Sequence, residues 1–101
     1  MTDRIMQTLS LAAKAGKITA GSFGAEKSIK TEKAQLVVLA KDASDNTKKK
    51  FSDACKFRDI PYIEYSDADS LGHQIGKEAR VVLSVEDAGF AASILKNVSR
   101  G

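Results

Sequence analysis

The chain has 101 residues, of which 43% are hydrophobic and 29% are charged, a composition typical of one ordinary globular domain. No apolar run approaches the roughly 20 residues that a membrane-spanning helix needs, and residues 1–4 lack the pattern of a secretion signal. The single cysteine, Cys55, excludes an internal disulfide. We therefore expect one domain over residues 1–101, located in the cytoplasm and not bound to a membrane.

The charge is divided unevenly along the chain, although the net value is only +3. Residues 1–58 contain 12 Lys or Arg against 6 Asp or Glu, which gives +6, whereas residues 59–101 contain 4 against 7, which gives −3. Such asymmetry suggests a polyanionic partner, but charged runs more often only solvate a surface. Charge alone therefore leaves nucleic-acid binding and a solvated face both open.

The order of the predicted elements indicates a three-layer α/β/α domain. Apolar residues at helical spacing predict the helices, and continuous β-branched runs predict strands buried on both faces. A strand that begins with Pro61 is expected at a sheet edge. In chain order we predict a helix over 3–15 ended by Gly16, an extended segment at 17–20, a helix that starts with Ser22 as a cap and runs to 32, a buried strand at 35–40, a helix over 44–58, the edge strand at 61–65, a short helix over 66–75, a second buried strand at 81–85 and a last helix from 87.

The residues that could support catalysis or metal binding form no convincing set. Residues 16–22 (GKITAGS) have the glycine spacing of a phosphate-binding P-loop, but the lysine required after the second glycine is absent. His73 is the only histidine and has no cysteine cluster to complete a metal site. Cys55 lies on the expected core side of its helix and is predicted to be a buried structural thiol. We therefore expect a protein with no enzymatic activity, metal or cofactor.

Four stretches of the chain form a specific combination, although none of them is specific alone. They are residues 11–17 (LAAKAGK), 34–47 (AQLVVLAKDASDNT), 76–82 (GKEARVV) and 87–91 (DAGFA). Together they resemble the kink-turn RNA-binding ribosomal proteins of the L-seven-Ae and L-thirty-e type, over nearly the whole chain. The resemblance implies a mixed four-stranded sheet between helices. It also implies non-catalytic binding of structured RNA, ribosomal or otherwise connected with translation.

The resemblance further implies an RNA site made from the N-terminus of the second helix and the loop before the last strand. In that family a glycine is followed by a small residue, by two polar residues that read guanine edges, and by a lysine three positions on. Here the glycine, the small residue and the lysine fall on Gly21, Ser22 and Lys27. The guanine-reading positions fall on Phe23 and Gly24, and neither side chain can hydrogen-bond a base edge. The chain thus departs from the family at the positions that set kink-turn specificity.

Physical arguments support the same region. The amides of Ser22 to Ala25 are expected to lack intrahelical acceptors and to attract phosphate at the positive end of the helix dipole. Gly24 would allow an RNA backbone to approach closely, and Phe23 would either stack on a base or pack into the core. Loop residues would present backbone and charge to the RNA. The expected RNA-contacting residues are Lys14, Lys17, Gly21, Ser22, Phe23, Gly24, Lys27, Lys77, Glu78, Ala79 and Arg80.

Blander interpretations of these features stay open. Gly21 and Ser22 could form only a turn and a helix cap, and residues 76–80 could be a plain connection with solvated charges. The lysines at 48–50 are expected to solvate a helix face. Two other functions also fit the sequence: a protein-interaction module whose basic half docks an acidic partner, and the RNA-recognition subunit of an RNA-modifying complex.

Overall fold

A computed structural model describes residues 3–100 of the chain, which form five helices and four strands. In chain order they are α1 (Arg4–Lys14), β1 (Ile18–Ala20), α2 (Ser22–Lys30), β2 (Leu36–Leu39), α3 (Asp45–Arg58), β3 (Tyr62–Glu64), α4 (Ala68–Gln74), β4 (Val82–Val85) and α5 (Ala88–Arg100). All nine predicted elements are found in their predicted order. Within the described residues, no helix has both the length and the apolar character needed to cross a membrane.

The four strands form one mixed sheet in the order β1-β4-β2-β3. β4 pairs antiparallel with β1 and β2, whereas β2 and β3 are parallel. Every side chain of the two central strands, β2 and β4, is buried, because helices cover both of their faces. β3, which follows Pro61, lies at an edge as predicted, since proline cannot donate a ladder hydrogen bond.

The helices lie in two layers, and each layer shares a core with one face of the sheet. Successive residues of β2 point to opposite faces, as in any strand. Leu36 and Val38 contact the core formed with α1, α4 and α5, whereas Val37 and Leu39 contact the core formed with α2 and α3. The predicted three-layer α/β/α fold with a mixed four-stranded sheet is therefore confirmed.

Three helices begin at the same end of the sheet, where one end of every strand lies. Because β4 runs antiparallel to β1 and β2, its N-terminal end lies beside the C-terminal ends of the other strands. The Gly21 amide donates to the Val82 carbonyl at 2.9 Å, and the Ala40 amide donates to the Val81 carbonyl at 2.8 Å. α2, α3 and α4 consequently all begin at this edge, which we call the upper edge, and bring the positive ends of their dipoles together.

The boundaries of α2 differ from the predicted ones. Its N-cap is Gly21 and not Ser22, because Gly21 has φ 91° and ψ 161° while Ser22 already belongs to the helix. The helix ends at Lys30, two residues before the predicted end. Glu32 has φ 63°, a left-handed conformation that cannot continue a right-handed helix.

A buried hydrogen-bonded network fixes α2 on the sheet. The Ser28 hydroxyl donates to Glu86 Oε2 at 2.6 Å and lies 2.8 Å from the Ser84 hydroxyl. Since Ser28 has a single hydroxyl hydrogen, Ser84 is the donor in the second bond. The side chains of Ser28 and Ser84 are 3% and 0% exposed, so these bonds satisfy polar groups that would otherwise destabilise the core.

Cys55 is fully buried on α3, as predicted, and packs in the same core as Phe51 and Val37. Burial disfavours the thiolate and raises the pKa of the Cys55 thiol to about 11. At neutral pH the group is therefore a protonated, unreactive part of the core.

We predict that Cys55→Ser lowers the free energy of unfolding by about 1–3 kcal/mol, because it places a hydroxyl in an apolar site. Urea titration followed by circular dichroism measures this loss, with Cys55→Ala as the comparison that buries no new polar group. At pH 8 the native thiol should resist iodoacetamide until urea unfolds the chain. A serine variant more stable than the alanine variant would contradict the argument.

Candidate functional site

The two predicted parts of the site lie side by side at the upper edge. A Cβ built on Gly21 would lie 3.9 Å from Cδ of Arg80, and the Gly21 amide donates to the carbonyl of Val82, two residues after Arg80. The N-terminus of α2 and residues 76–80, which we call the β4 loop, therefore form one continuous surface.

The first turn of α2 offers three backbone amides to a ligand. The Ala25 amide donates to the Gly21 carbonyl at 2.9 Å, so the prediction that it lacks an intrahelical acceptor was wrong. The amides of Ser22, Phe23 and Gly24 precede this first helical bond, and no side chain among residues 3–100 caps the Gly21 end. Amides in this position donate to water or to a bound anion.

Phe23 is not a core residue. Its side chain is 84% exposed, because Ala25 and Ile29 form the buried face of α2 and Phe23 lies on another side of the helix. The predicted alternative of core packing is therefore wrong for Phe23. The exposed ring stands beside the first-turn amides and adds a flat apolar surface to a polar site.

Gly24 has a structural role that the sequence did not suggest. A Cβ at this position would lie 2.6 Å from Cγ2 of Thr19, closer than real Cβ contacts come. Glycine thus allows the start of α2 to lie directly against β1. A larger residue at position 24 requires Thr19 to move or to be replaced.

The β4 loop is held against α4 by backbone contacts. The Lys77 amide donates to the Gly72 carbonyl at 2.9 Å, and the Arg80 amide donates to the Ala68 carbonyl at 3.0 Å. A Cβ on Gly72 would lie only 1.9 Å from the Glu78 carbonyl oxygen. The loop therefore has a fixed backbone whose position depends on a glycine in the middle of α4.

Within this loop, the Arg80 side chain folds back over its own backbone. Its Nη1 donates to the carbonyls of Glu78 at 3.2 Å and Ala79 at 3.0 Å, and the residue is half-buried. Since a guanidinium has five N–H groups, others stay available to an anion. Lys77, Glu78 and Ala79 are exposed.

One of the three predicted flanking lysines, Lys27, lies beside the N-terminus of α2. Lys27 is exposed on α2, one turn beyond the first-turn amides. Lys14 shares a cleft of about 370 Å³ with Gly76 and His73, so it adjoins the far end of the β4 loop. The prediction that Lys14 flanks the helix N-terminus was therefore wrong. As expected, His73 is an exposed residue on its short helix.

Lys17 lies at the opposite end of β1 from Gly21. Its carbonyl accepts the Glu86 amide at 2.8 Å, beyond the last residue of β4. Four residue steps of extended chain separate Lys17 from Gly21 by about 13 Å. The prediction that Lys17 flanks the helix N-terminus was therefore wrong.

Ion pairing distinguishes the predicted site cations from the lysine run at 48–50. Lys48, Lys49 and Lys50 each pair with a carboxylate at 3.0–3.3 Å, which agrees with their expected role on a solvated face. No ion pair within the described part of the chain involves the cations of the site. Those cations are Lys14, Lys27, Lys77 and Arg80.

Sequence reasoning missed Lys41, which the topology places at the upper edge. It lies two residues after the end of β2, it is exposed, and its amide donates to the Ser66 carbonyl at 2.8 Å. Next to it, the Asp42 carboxylate accepts the Ala68 amide at 2.9 Å and ties this loop to the start of α4. The available signal was position, because polar residues that directly follow a buried strand lie at a sheet edge.

Residues 3–95 match the Ribosomal protein L7Ae/L30e/S12e/Gadd45 family. The RNA-binding protein YlxQ of Bacillus subtilis (strain 168) is 44% identical over 87 residues, which cover 86% of this chain and 87% of that protein. The combination of stretches that suggested the family from the sequence thus corresponds to an extended match.

Solved structures share the fold over almost their full length. A Bacillus halodurans protein with unknown function superimposes with a TM-score of 0.93 at 34% identity, covering 97% of this chain and 99% of that one. The 15.5kD RNA binding protein of Giardia lamblia gives a TM-score of 0.81 at 22% identity, covering 99% and 92%. Because the identity to the second structure is only 22%, this similarity supports the fold alone.

We predict that Gly72→Ala displaces the β4 loop and lowers the free energy of unfolding by about 1–3 kcal/mol, because its Cβ has no room beside the Glu78 carbonyl. Hydrogen exchange should show a faster Lys77 amide. Gly89→Ala is the control, since its Cβ would meet only the end of the Asp87 side chain at 3.2 Å. Unchanged exchange at Lys77 in Gly72→Ala would show that Gly72 does not position the loop.

Proposed function

Because the chain belongs to the Ribosomal protein L7Ae/L30e/S12e/Gadd45 family, we propose that it binds structured RNA through the upper edge and the β4 loop and catalyses no reaction. The observation that carries the proposal is the proximity of Gly21 to Arg80, whose Cδ would lie 3.9 Å from a Cβ built on Gly21. It brings an uncapped helix N-terminus beside a loop that carries Lys77 and Arg80. A relative that is 44% identical is itself an RNA-binding protein.

In this proposal the site recognises the RNA backbone first. A phosphate accepts hydrogen bonds from the amides of Ser22, Phe23 and Gly24 at the positive end of α2. Lys27 and Lys77 supply charge on either side, and the Arg80 N–H groups not used by the loop bind a second phosphate. Such contacts fix position on the RNA and contribute little sequence preference.

Base recognition then falls to Phe23. A ring that is 84% exposed stacks on an unpaired base, an interaction that contributes about 1–3 kcal/mol and tolerates any base. Neither Phe23 nor Gly24 offers a group that hydrogen-bonds a base edge. We therefore propose a kink-turn-like RNA of the ribosome or the translation apparatus, in the cytoplasm, recognised through its shape more than through its guanines.

We predict that Lys27→Ala weakens binding to every structured RNA and reduces the log–log salt slope by about 1, because one phosphate contact is lost. Fluorescence anisotropy with a labelled kink-turn hairpin between 50 and 200 mM KCl measures both quantities. Lys17→Ala is the matched control, an exposed lysine about 13 Å from Gly21 along β1. Equal losses of affinity in the two variants would contradict the placement of the site. An affinity that does not change with salt concentration would contradict the electrostatic account.

We also predict that polar side chains at positions 23 and 24 sharpen the preference for a kink-turn over the same RNA with its G·A pairs replaced. Each good base contact discriminates by about 1–3 kcal/mol. Phe23→Asn with Gly24→Glu alone should destabilise α2, because the new Cβ meets Thr19. The informative variant therefore also carries Thr19→Ala, which removes the opposing methyl group.

The matched control for this triple variant is Thr19→Ala alone. Kd values for both RNAs, measured beside urea unfolding, separate recognition from stability. If the wild type already discriminates as strongly as the triple variant, backbone and loop contacts suffice for kink-turn recognition. If neither protein prefers the kink-turn, the proposal of a kink-turn-like RNA is wrong, although structured RNA of another kind stays possible.

A further inference from the structure

A second phenylalanine is exposed far from the upper edge. Phe57 lies near the C-terminus of α3, and its side chain is 85% exposed. Phe51, on the same helix, is buried in the core, so Phe57 is not part of the packing that holds α3. The guanidinium carbon of Arg58 lies 6.0 Å from the centre of the Phe57 ring, within the range of a cation–π contact.

Phe57 forms one wall of a groove between α2 and α3, with a volume of about 440 Å³. Ile29, Phe51 and Ala54 also line this α2–α3 groove and make it mainly apolar. An apolar cleft with an exposed aromatic wall can hold a flat ring such as a nucleobase.

The rim of the groove has three cations, Lys30, Lys50 and Arg58, against two carboxylates, Glu26 and Asp53. Asp53 is paired with Lys49 at 3.1 Å, outside the groove lining. Lys30 and Lys50 both bind Glu26, at 3.4 Å and 3.0 Å, and hydrogen bonds from Lys50 and Lys30 hold the pKa of Glu26 below its usual range. One carboxylate thus serves two ammonium groups. Arg58 makes no ion pair within residues 3–100, and the neighbouring Lys56 is exposed.

The groove continues the surface that begins at the upper edge. Phe23, Lys27 and Lys30 are spaced so that they share one face of α2. The seven residue steps from Phe23 to Lys30 span about 10 Å along the helix axis. A cationic strip with an exposed aromatic ring at each end therefore runs from the first turn of α2 to the groove.

We propose that the α2–α3 groove binds an unpaired stretch of the RNA that is held at the upper edge, with one base stacked on Phe57 and phosphates beside Lys30, Lys50 and Arg58. The inference rests on the proposed RNA-binding function. Aromatic stacking combined with a cationic track is how proteins bind single strands without sequence preference. The excess of cations and the continuity with the upper edge favour a nucleic acid over a protein segment.

The test compares three hairpins with the same folded element. One is blunt, one carries five unpaired uridines at its 5′ end, and one carries them at its 3′ end, with 2-aminopurine replacing the central uridine of each extension. We expect one extension to tighten binding about tenfold, equivalent to about 1.4 kcal/mol, and its fluorescence to be quenched by stacking. Phe57→Ala should abolish the gain and the quenching while binding the blunt hairpin as the wild type does, whereas Phe57→Tyr should retain both.

The outcomes separate this inference from the proposed function. If the wild type binds the blunt hairpin but gains from neither extension, or if the gain survives in Phe57→Ala, the groove does not bind RNA and is left for a protein segment. If no hairpin binds, the proposed function fails. In that case the five-nucleotide extension is added as a free oligonucleotide that contains the same 2-aminopurine. Quenching that Phe57→Ala removes supports single-strand binding in the groove, and unchanged fluorescence overturns it.

Discussion

The antiparallel position of β4 between β1 and β2 is the constraint on which the candidate site depends. Burial of every β4 side chain drives the strand into the centre of the sheet, where both faces are covered by helices. Its N-terminal end then lies beside the C-terminal end of β1, where the Gly21 amide donates to the Val82 carbonyl. Two segments far apart in the chain thus become one surface because the core requires the strand there, and no contact between the functional side chains is needed to join them.

The shape of this surface depends on two glycines, because segments pack closely where a side chain is absent. Gly24 lets α2 touch Thr19, and Gly72 lets the β4 loop touch α4. Both contacts fix backbone, and backbone amides are the groups that the site offers to an anion. A surface whose donors are already in place loses little conformational entropy when a ligand binds, so close helix packing contributes to affinity without touching the ligand.

The sequence predicted the fold well because hydrophobic periodicity reports burial, and burial determines the layers. It also predicted that Gly21 and the β4 loop belong together, but only through family resemblance. The error at Lys17 was avoidable, since the predicted strand at 17–20 already separates it from Gly21 by about 13 Å. The exposure of Phe23 and the roles of Thr19 and Gly72 were not predictable in this way. They depend on the rotation of α2 about its axis and on contacts between segments that are distant in the sequence. A local sequence pattern does not report how close such segments come in space.

Formal charge is a poor guide to where this protein attracts an anion. The first 58 residues carry +6, yet two lysines of the most obvious basic run, Lys48 and Lys49, are paired with Glu64 and Asp53. Lys50 shares Glu26 with Lys30. The cations at the candidate site are fewer and scattered in the sequence, but the fold aligns them and gives them no carboxylate partner among the described residues. Exposed ion pairs contribute little to stability, and here they offset the charge of Lys48 and Lys49. The groups that stay available to an anion at the upper edge are therefore Lys27, Arg80 and the first-turn amides of α2, because none of them has a carboxylate or side-chain partner among the described residues.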